Sequence, residues 1–326
     1  MSIERAASFL QSHQTFFLAA HQSPDGDTLG SCLALRQALR HMDKQATVVC
    51  SDPVPEWLSF LVGADTVLAP AALQGLAPAE AVVYVDCADH KRTGELQPLL
   101  EAAPFQYCID HHETNPQKTK DGDWVEPTGA TGELILQLLQ ALSVPLTKEI
   151  ATCLYTALAT DTGNFSYSNT TPDTFRAAAL LLEAGIDLPE LNRTLFRSMK
   201  RNKARLIAYV LQNMHLYEQD TLGIVTIELK TLDAFDATEA DCEGLIDYVR
   251  DINTVEAACV LRESHDGTVR VSMRSKHGCD VAKPAQQFGG GGHFRAAGCT
   301  LHTTLDEAER QVRAALVEAI RTWKAS

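Results

Sequence analysis

No stretch of this chain approaches the roughly 20 consecutive apolar residues that a membrane helix needs, so no membrane partner is expected. The opening residues, MSIERAASFLQSHQ, carry Glu4 and lack the apolar core of a secretory signal, which makes the cytoplasm the expected location. Paired cysteines are also missing. The nine cysteines are scattered singly, their number is odd, and no CxxC spacing occurs, which argues against a disulfide frame or a zinc finger. Cys50 and Cys108 lie in apolar runs and read as small core residues. A basic surplus is lacking too. The formal net charge of −14 argues against a protein that coats long nucleic acid through a positive surface. A short nucleotide stays compatible, because a bound metal brings its own positive charge. Repeats and low-complexity segments are absent. The rest is ordinary for a soluble globular chain, and 326 residues make two domains the prior.

Against that background one stretch stands out: HQSPDGD, His21 to Asp27. A short apolar run, Thr15–Ala20, reads as a buried strand before it. Thr28–Met42 reads as a helix after it. The motif therefore sits where a strand's carboxyl end turns into a helix, which is where open α/β sheets bind ligands. Imidazole with clustered carboxylates suits a divalent metal such as manganese. A plainer reading stays open, in which Asp27 only caps the helix. Three more clusters follow at comparable places. AVVYV ends in Asp86, QYCI ends in Asp110-His111-His112, and a helix ends in Asp161 ahead of Gly163. Consecutive side chains on a strand point oppositely, so His111 and His112 need a loop to serve one site. One of them is assigned to metal, the other to a substrate phosphate or leaving group.

Strands Gln45–Cys50, Ala81–Val85 and Gln106–Ile109, separated by helices and loops, predict a parallel sheet covered on both faces. A turn at 55–62 is expected to face Trp57 and Leu58 to the core. Two helices within 128–159, the second capped by Thr147, and three within 171–214 complete this half; the last reads as a connector. Beyond about residue 215 the pattern changes to strands at 222–228, 256–262 and 269–274, with a hairpin turn at His265-Asp266-Gly267. A helical pattern at 280–288 is interrupted by Pro284, then comes GGGGHFRAAG, and a helix at 304–323 closes the chain. The glycines let backbone N–H groups approach an anion, with a helix start expected to follow; a flexible loop is the plainer alternative. From Asn253 to Gly298 six Lys and Arg meet four Asp and Glu, a local +2 that suits an anionic ligand. Arg262, Arg274 and Lys276 are candidate phosphate contacts, and His293 adds a donor.

In order, HQSPDGD, VDCAD, DHH, TDTGNF and GGGGHFRAAG resemble the DHH phosphoesterase superfamily across roughly residues 15–300. The tail is similar to the DHH-associated domain of its RecJ-like branch. Within it the chain looks like the stand-alone oligoribonuclease and pAp phosphatase group (NrnA-like). The resemblance implies an α/β fold: a parallel-sheet DHH domain with helices on both faces (1–195), a linker helix (196–214) and a smaller mixed-sheet domain (215–326). It implies two divalent ions, usually Mn2+. His21, Asp25 and Asp86 match the ligands of one, and Asp27, Asp86, His111 and Asp161 those of the other. Asp110 matches a residue that orients a ligand, and His112 one that touches the scissile phosphate. Arg274, Ser275 and His293, with Gly290, Gly291 and Gly292, match the substrate-binding side. The implied reaction is hydrolysis of short RNA, linear dinucleotides or pAp in a cleft between the domains, and a homodimer is compatible with it. Two rival readings are a processive single-strand exonuclease and a nucleotide-binding module without catalysis.

Overall fold

The computed structural model describes residues 2–73, 79–112, 115 and 123–325. They divide into two compact units between Ser198 and Met199. In the first, helix α1 (Ser2–Ser12) precedes strand β1 (Thr15–Ala19), helix α2 (Gly26–His41) and strand β2 (Gln45–Val49). Strand β3 (Ala81–Val85), helix α3 (Gln97–Glu101), strand β4 (Phe105–Asp110) and strand β5 (Trp124–Val125) follow. Helices α4 (Thr131–Ala141), α5 (Lys148–Asp161), α6 (Pro172–Glu183) and α7 (Leu188–Phe196) complete it.

Among the described residues these strands form one sheet in the order β2-β1-β3-β4-β5, parallel throughout. Side chains alternate along a strand. Phe16 and Leu18 therefore enter the core beneath α1, α2, α4 and α5, while Phe17 and Ala19 enter a smaller core with Leu96 and Leu100. Burial on both faces is why each strand reads as an unbroken apolar run. The strand order reverses its winding between β1 and β3, which is where open α/β sheets bind ligands. On one face of this sheet α2 lies hard against α5. A Cβ at Gly30 would stand 2.4 Å from the Cys153 carbonyl oxygen, so only glycine allows the approach. One expectation fails here. Leu58 is buried, but Trp57 is 44% exposed. The residues lie in a single 3-10 turn, Glu56–Leu58, which has room to bury one of two neighbouring side chains.

The second unit begins with helix α8 (Arg201–Asn213), strands β6 (His215–Tyr217) and β7 (Leu222–Ile227), and helices α9 (Leu229–Ala234) and α10 (Leu245–Arg250). Strands β8 (Ala257–Glu263) and β9 (Val269–Ser275), helix α11 (Ala282–Gln287), strands β10 (Gly291–His293) and β11 (Ala296–Leu301), and helix α12 (Leu305–Ala325) finish it. The described strands order as β10-β11-β9-β8-β7-β6, with β7 and β8 parallel and the other pairs antiparallel. Helices α11 and α12 cover one face through Val312, Leu316 and Ile320, and α8 and α10 the other through Leu206, Val210 and Val249. The helix expected as a connector, α8, thus packs into this unit's core.

Two further expectations are corrected. Pro284 does not interrupt a helix: it lies in the first turn of α11, where its missing N–H has no partner to lose. The glycine run does not lead into a helix start. Gly291–His293 pair as strand β10 with Ala296–Gly298 of β11. Gly292 has φ 143° and a Cβ there would lie 2.4 Å from the Ala296 carbonyl oxygen, so the glycine serves a tight hairpin. Among the described residues no helix is long and apolar enough to cross a membrane.

Candidate metal centre

The first unit gathers its histidines and aspartates at the carboxyl end of the parallel sheet. The loop after β1 supplies His21 and Asp25. Asp25 is the N-cap of α2: its Oδ1 accepts from the N–H groups of Asp27 and Thr28, both at 3.0 Å. The cap is therefore Asp25 and not Asp27. Its other oxygen, Oδ2, faces His21 Nε2 at 3.7 Å. Asp27, the second residue of the helix and 1% exposed, accepts from Thr131 N at 2.7 Å and Gly132 N at 3.0 Å. Those N–H groups open α4, so a helix N-terminus steadies the carboxylate.

Asp86 follows β3 directly and holds a positive φ of 60°, an uncommon conformation that aspartate tolerates. Its two oxygens face different histidines. Oδ2 lies 3.5 Å from His21 Nε2, and Oδ1 lies 3.6 Å from His111 Nε2. His111 Nε2 also lies 3.8 Å from Asp27 Oδ2 and 3.7 Å from Asp161 Oδ2. The donor atoms fall into overlapping sets, each within 4.8 Å: His21, Asp25 and Asp86; Asp27, His111 and Asp161; and Asp86, His111 and His112.

The donor chemistry fits divalent cations. His21 Nδ1 faces the Gln22 carbonyl at 2.7 Å, and His111 Nδ1 faces the Thr128 carbonyl at 3.1 Å. A carbonyl only accepts, so both Nδ1 atoms carry a proton, and both Nε2 atoms, the ones a cation would take as ligands, turn toward the carboxylates. The electrostatics agree. Burial, then the charges of Asp86, Asp161 and Asp25, push the Asp27 carboxyl far above its ordinary range. Burial raises Asp161 to about 6; His111 opposes that rise, and Asp86 and Asp25 add to it. At His21 burial favours the neutral ring, but hydrogen bonds to Asp25 and Asp86 outweigh it and lift the pKa to about 9. Crowded carboxylates that resist ionisation need a positive charge, and a cation supplies it.

Asp110 is fully buried and takes a different part. Burial would raise its pKa, yet hydrogen bonds from His112 and Asn115 bring it below the ordinary value. Its Oδ1 accepts from His112 Nδ1 at 2.7 Å and its Oδ2 from Asn115 Nδ2 at 2.6 Å. The bond to Asp110 raises the pKa of His112 and leaves its Nε2 turned away from Asp110.

Comparison with known proteins gives this constellation a lineage. Residues 15–158 match the profile of the DHH family N-terminal domain, and residues 223–324 match that of the DHHA1 domain. The chain is 36% identical over 308 residues to the bifunctional oligoribonuclease and PAP phosphatase NrnA of Thermus thermophilus, covering 94% of this chain and 89% of that one. The chain belongs to the DHH family. The protein of the same name from Bacillus subtilis is 28% identical over 92% of its length. An exopolyphosphatase-related protein from Bacteroides fragilis shares the fold at a TM-score of 0.89 with 28% identity, over 99% of this chain and 97% of that one.

In the DHHA1 domain the candidate substrate residues do not all meet. Along the sheet His293 pairs with Ala296, and Ala296 with Arg274, so the glycine hairpin and Arg274 share one row. Ser275 follows Arg274 but faces the buried side with Val271 and Met273, as strand alternation requires. Lys276 Nζ donates to the Ile252 carbonyl at 2.7 Å. Arg262 pairs with Arg270, while Ala258 pairs with Arg274. Arg262 therefore lies about 13 Å along the strand from that row. There its guanidinium forms an ion pair with Glu239 at 3.1 Å. In the DHH domain the motifs left three orienting groups unnoticed: the Thr128 carbonyl, Thr131 and Asn169. The only signal for them was the helix-start texture around 128–131 and 169–172.

Proposed function

We propose that this chain is a metal-dependent phosphoesterase that hydrolyses short oligoribonucleotides, linear dinucleotides and 3′-phosphates of the pAp type. The observation that carries the reading is Asp86, whose two oxygens face His21 and His111 separately. In this reading His21, Asp25 and Asp86 hold one divalent ion, and Asp27, Asp86, His111 and Asp161 hold a second, with manganese the preferred metal. Bound ions of this kind lower the pKa of a water and neutralise charge growing on the phosphoryl oxygens. Asp110 holds the imidazole of His112 in place and favours its charged form, whose Nε2–H would donate to a phosphate oxygen. Arg274, His293 and the glycine hairpin receive the nucleotide. The names of the NrnA relatives support the substrate class. The same reading has the protein act in the cytoplasm, without a membrane partner, as a homodimer whose mass in solution is measurable.

The test compares hydrolysis of an RNA dinucleotide, pAp and a long single-stranded RNA, each with Mn2+. Rapid cleavage of the dinucleotide and of pAp, with slow attack on the long strand, is expected. Preference for the long strand would identify a processive exonuclease instead. Metal binding with no cleavage of any of the three would leave a binding module.

A further inference from the structure

Asp161 occupies the last position of α5, where a helix terminus alone gives a side chain little restraint. The chain leaves it through three left-handed residues, Gly163, Asn164 and Phe165, with φ of 55°, 54° and 63°. This tight reversal brings Asn169 back against Asp161. Asn169 Nδ2 lies 3.1 Å from the Asp161 carbonyl oxygen and 3.2 Å from Asp161 Oδ2. It also lies 2.9 Å from the Gly129 carbonyl oxygen. All three neighbours are acceptors, so the amide must turn its NH2 toward them; the flipped amide would set oxygen against oxygen.

Gly129 matters for what surrounds it. The Thr128 carbonyl accepts from His111 Nδ1. Thr131 N and Gly132 N donate to Asp27, and Thr131 Oγ1 donates to Asp86 at 3.0 Å. One short turn, residues 128–132, therefore orients His111, Asp27 and Asp86. The fourth member of the same cluster, Asp161, comes from a different helix and touches none of these groups through its backbone.

We propose that Asn169 is a positioning residue: its side-chain amide latches Asp161 to the 128–132 turn and so sets the geometry of the Asp27, His111 and Asp161 metal position. Orienting groups of this kind typically change metal affinity by about 10–100-fold. The inference rests on the two-ion reading above but not on its substrate.

Titration of the full-length protein with Mn2+, reading free Mn2+ by its paramagnetic resonance signal, tests it without any turnover. Wild type is expected to take up two ions. Asn169→Ala should weaken one of them about 10–100-fold and leave the other within about threefold. Asn169→Asp keeps the shape but replaces the donor with a carboxylate, so it should weaken the same ion at least as much. Asn169→Ser keeps one donor and should fall between wild type and Asn169→Ala, which covers the case in which the alanine variant fails to fold. Two ions of wild-type affinity in a folded Asn169→Asp or Asn169→Ser protein would overturn the proposal. So would equal weakening of both ions, which would mark a general structural role. Fewer than two ions in wild type would overturn the two-ion reading itself. Slow hydrolysis of every short RNA with both ions bound would count only against the substrate assignment.

Discussion

At the scale of single residues, Asp86 concentrates both the chemistry and the cost. It is 2% exposed, sits at positive φ, and its charge adds to the rise in the pKa of Asp27 and Asp161. Asn tolerates the same backbone region, so Asp86→Asn keeps the shape while removing the charge. That variant should lose both ions and at least about 10²–10³-fold in hydrolysis. Its chelated form should melt no lower than chelated wild type, because crowded negative charge is relieved. A lower melting temperature together with retained metal would refute the bridging role. The sign of the pH dependence follows from His21. Its folded pKa, about 9, lies above the ordinary 6.5, so its contribution to stability is complete below pH 6.5 and is lost as pH rises toward 9. A cation needs the Nε2 lone pair, so its affinity moves the opposite way and grows over the same window. Melting curves with chelator and with Mn2+ at pH 6.5 and pH 9 should therefore separate further at the higher pH, and convergence would count against His21 as a ligand. The candidate ligands were legible in the sequence because carboxylates and imidazoles at strand ends carry their chemistry in their type. Asn169, Thr131 and the Thr128 carbonyl were not, because they act only through direction, and polar residues in turns look alike until the turn is folded.

Among elements, legibility followed burial. Strands β1 and β3 are buried on both faces and read as continuous apolar runs, so their ends, and hence His21 and Asp86, could be placed. Strand β10 consists of Gly291, Gly292 and His293, which carry no strand propensity; only pairing with β11 makes it a strand. What the site needs from its elements is close approach between α2, which carries Asp27, and α5, which carries Asp161. Gly26 and Gly30 lie on one face of α2, and a Cβ at Gly26 would stand 2.3 Å from Thr160 Oγ1. The backbone contact at Gly30 is the less forgiving of the two, because a carbonyl cannot swing aside as a side chain can. Gly30→Ala should destabilise the protein by about 1–3 kcal/mol through overpacking. It should also weaken the ion shared by Asp27 and Asp161, although neither ligand is altered. Thermal melting and Mn2+ titration on one sample read both effects. An alanine variant with unchanged melting and affinity would show that the helices can part without moving the ligands.

For the molecule as a whole, charge bears most directly on substrate length. The chain carries −14 overall, while residues 253–298 hold six cations against four acids. Two of those cations, Arg262 and Arg270, are paired in the sheet at a distance from the glycine hairpin, and each has an acidic partner, Glu239 and Asp266. Lys276 is turned onto a backbone carbonyl. The positive charge near Arg274 and His293 is thus local and small, enough for one or two phosphates and too little for a track. Single-stranded contacts give a slope of about −0.7 per phosphate in log affinity against log salt. Binding of a dinucleotide should therefore show a slope between about −0.7 and −1.4, read as the KM for hydrolysis from low to moderate KCl. A longer strand adds phosphates that meet surplus acid rather than further cations, so its slope should be no steeper and its affinity no greater. A slope of about −4 or beyond on a long RNA would require a basic surface that the charge distribution lacks. That result would move the reading from a short-nucleotide hydrolase to an enzyme that tracks along strands.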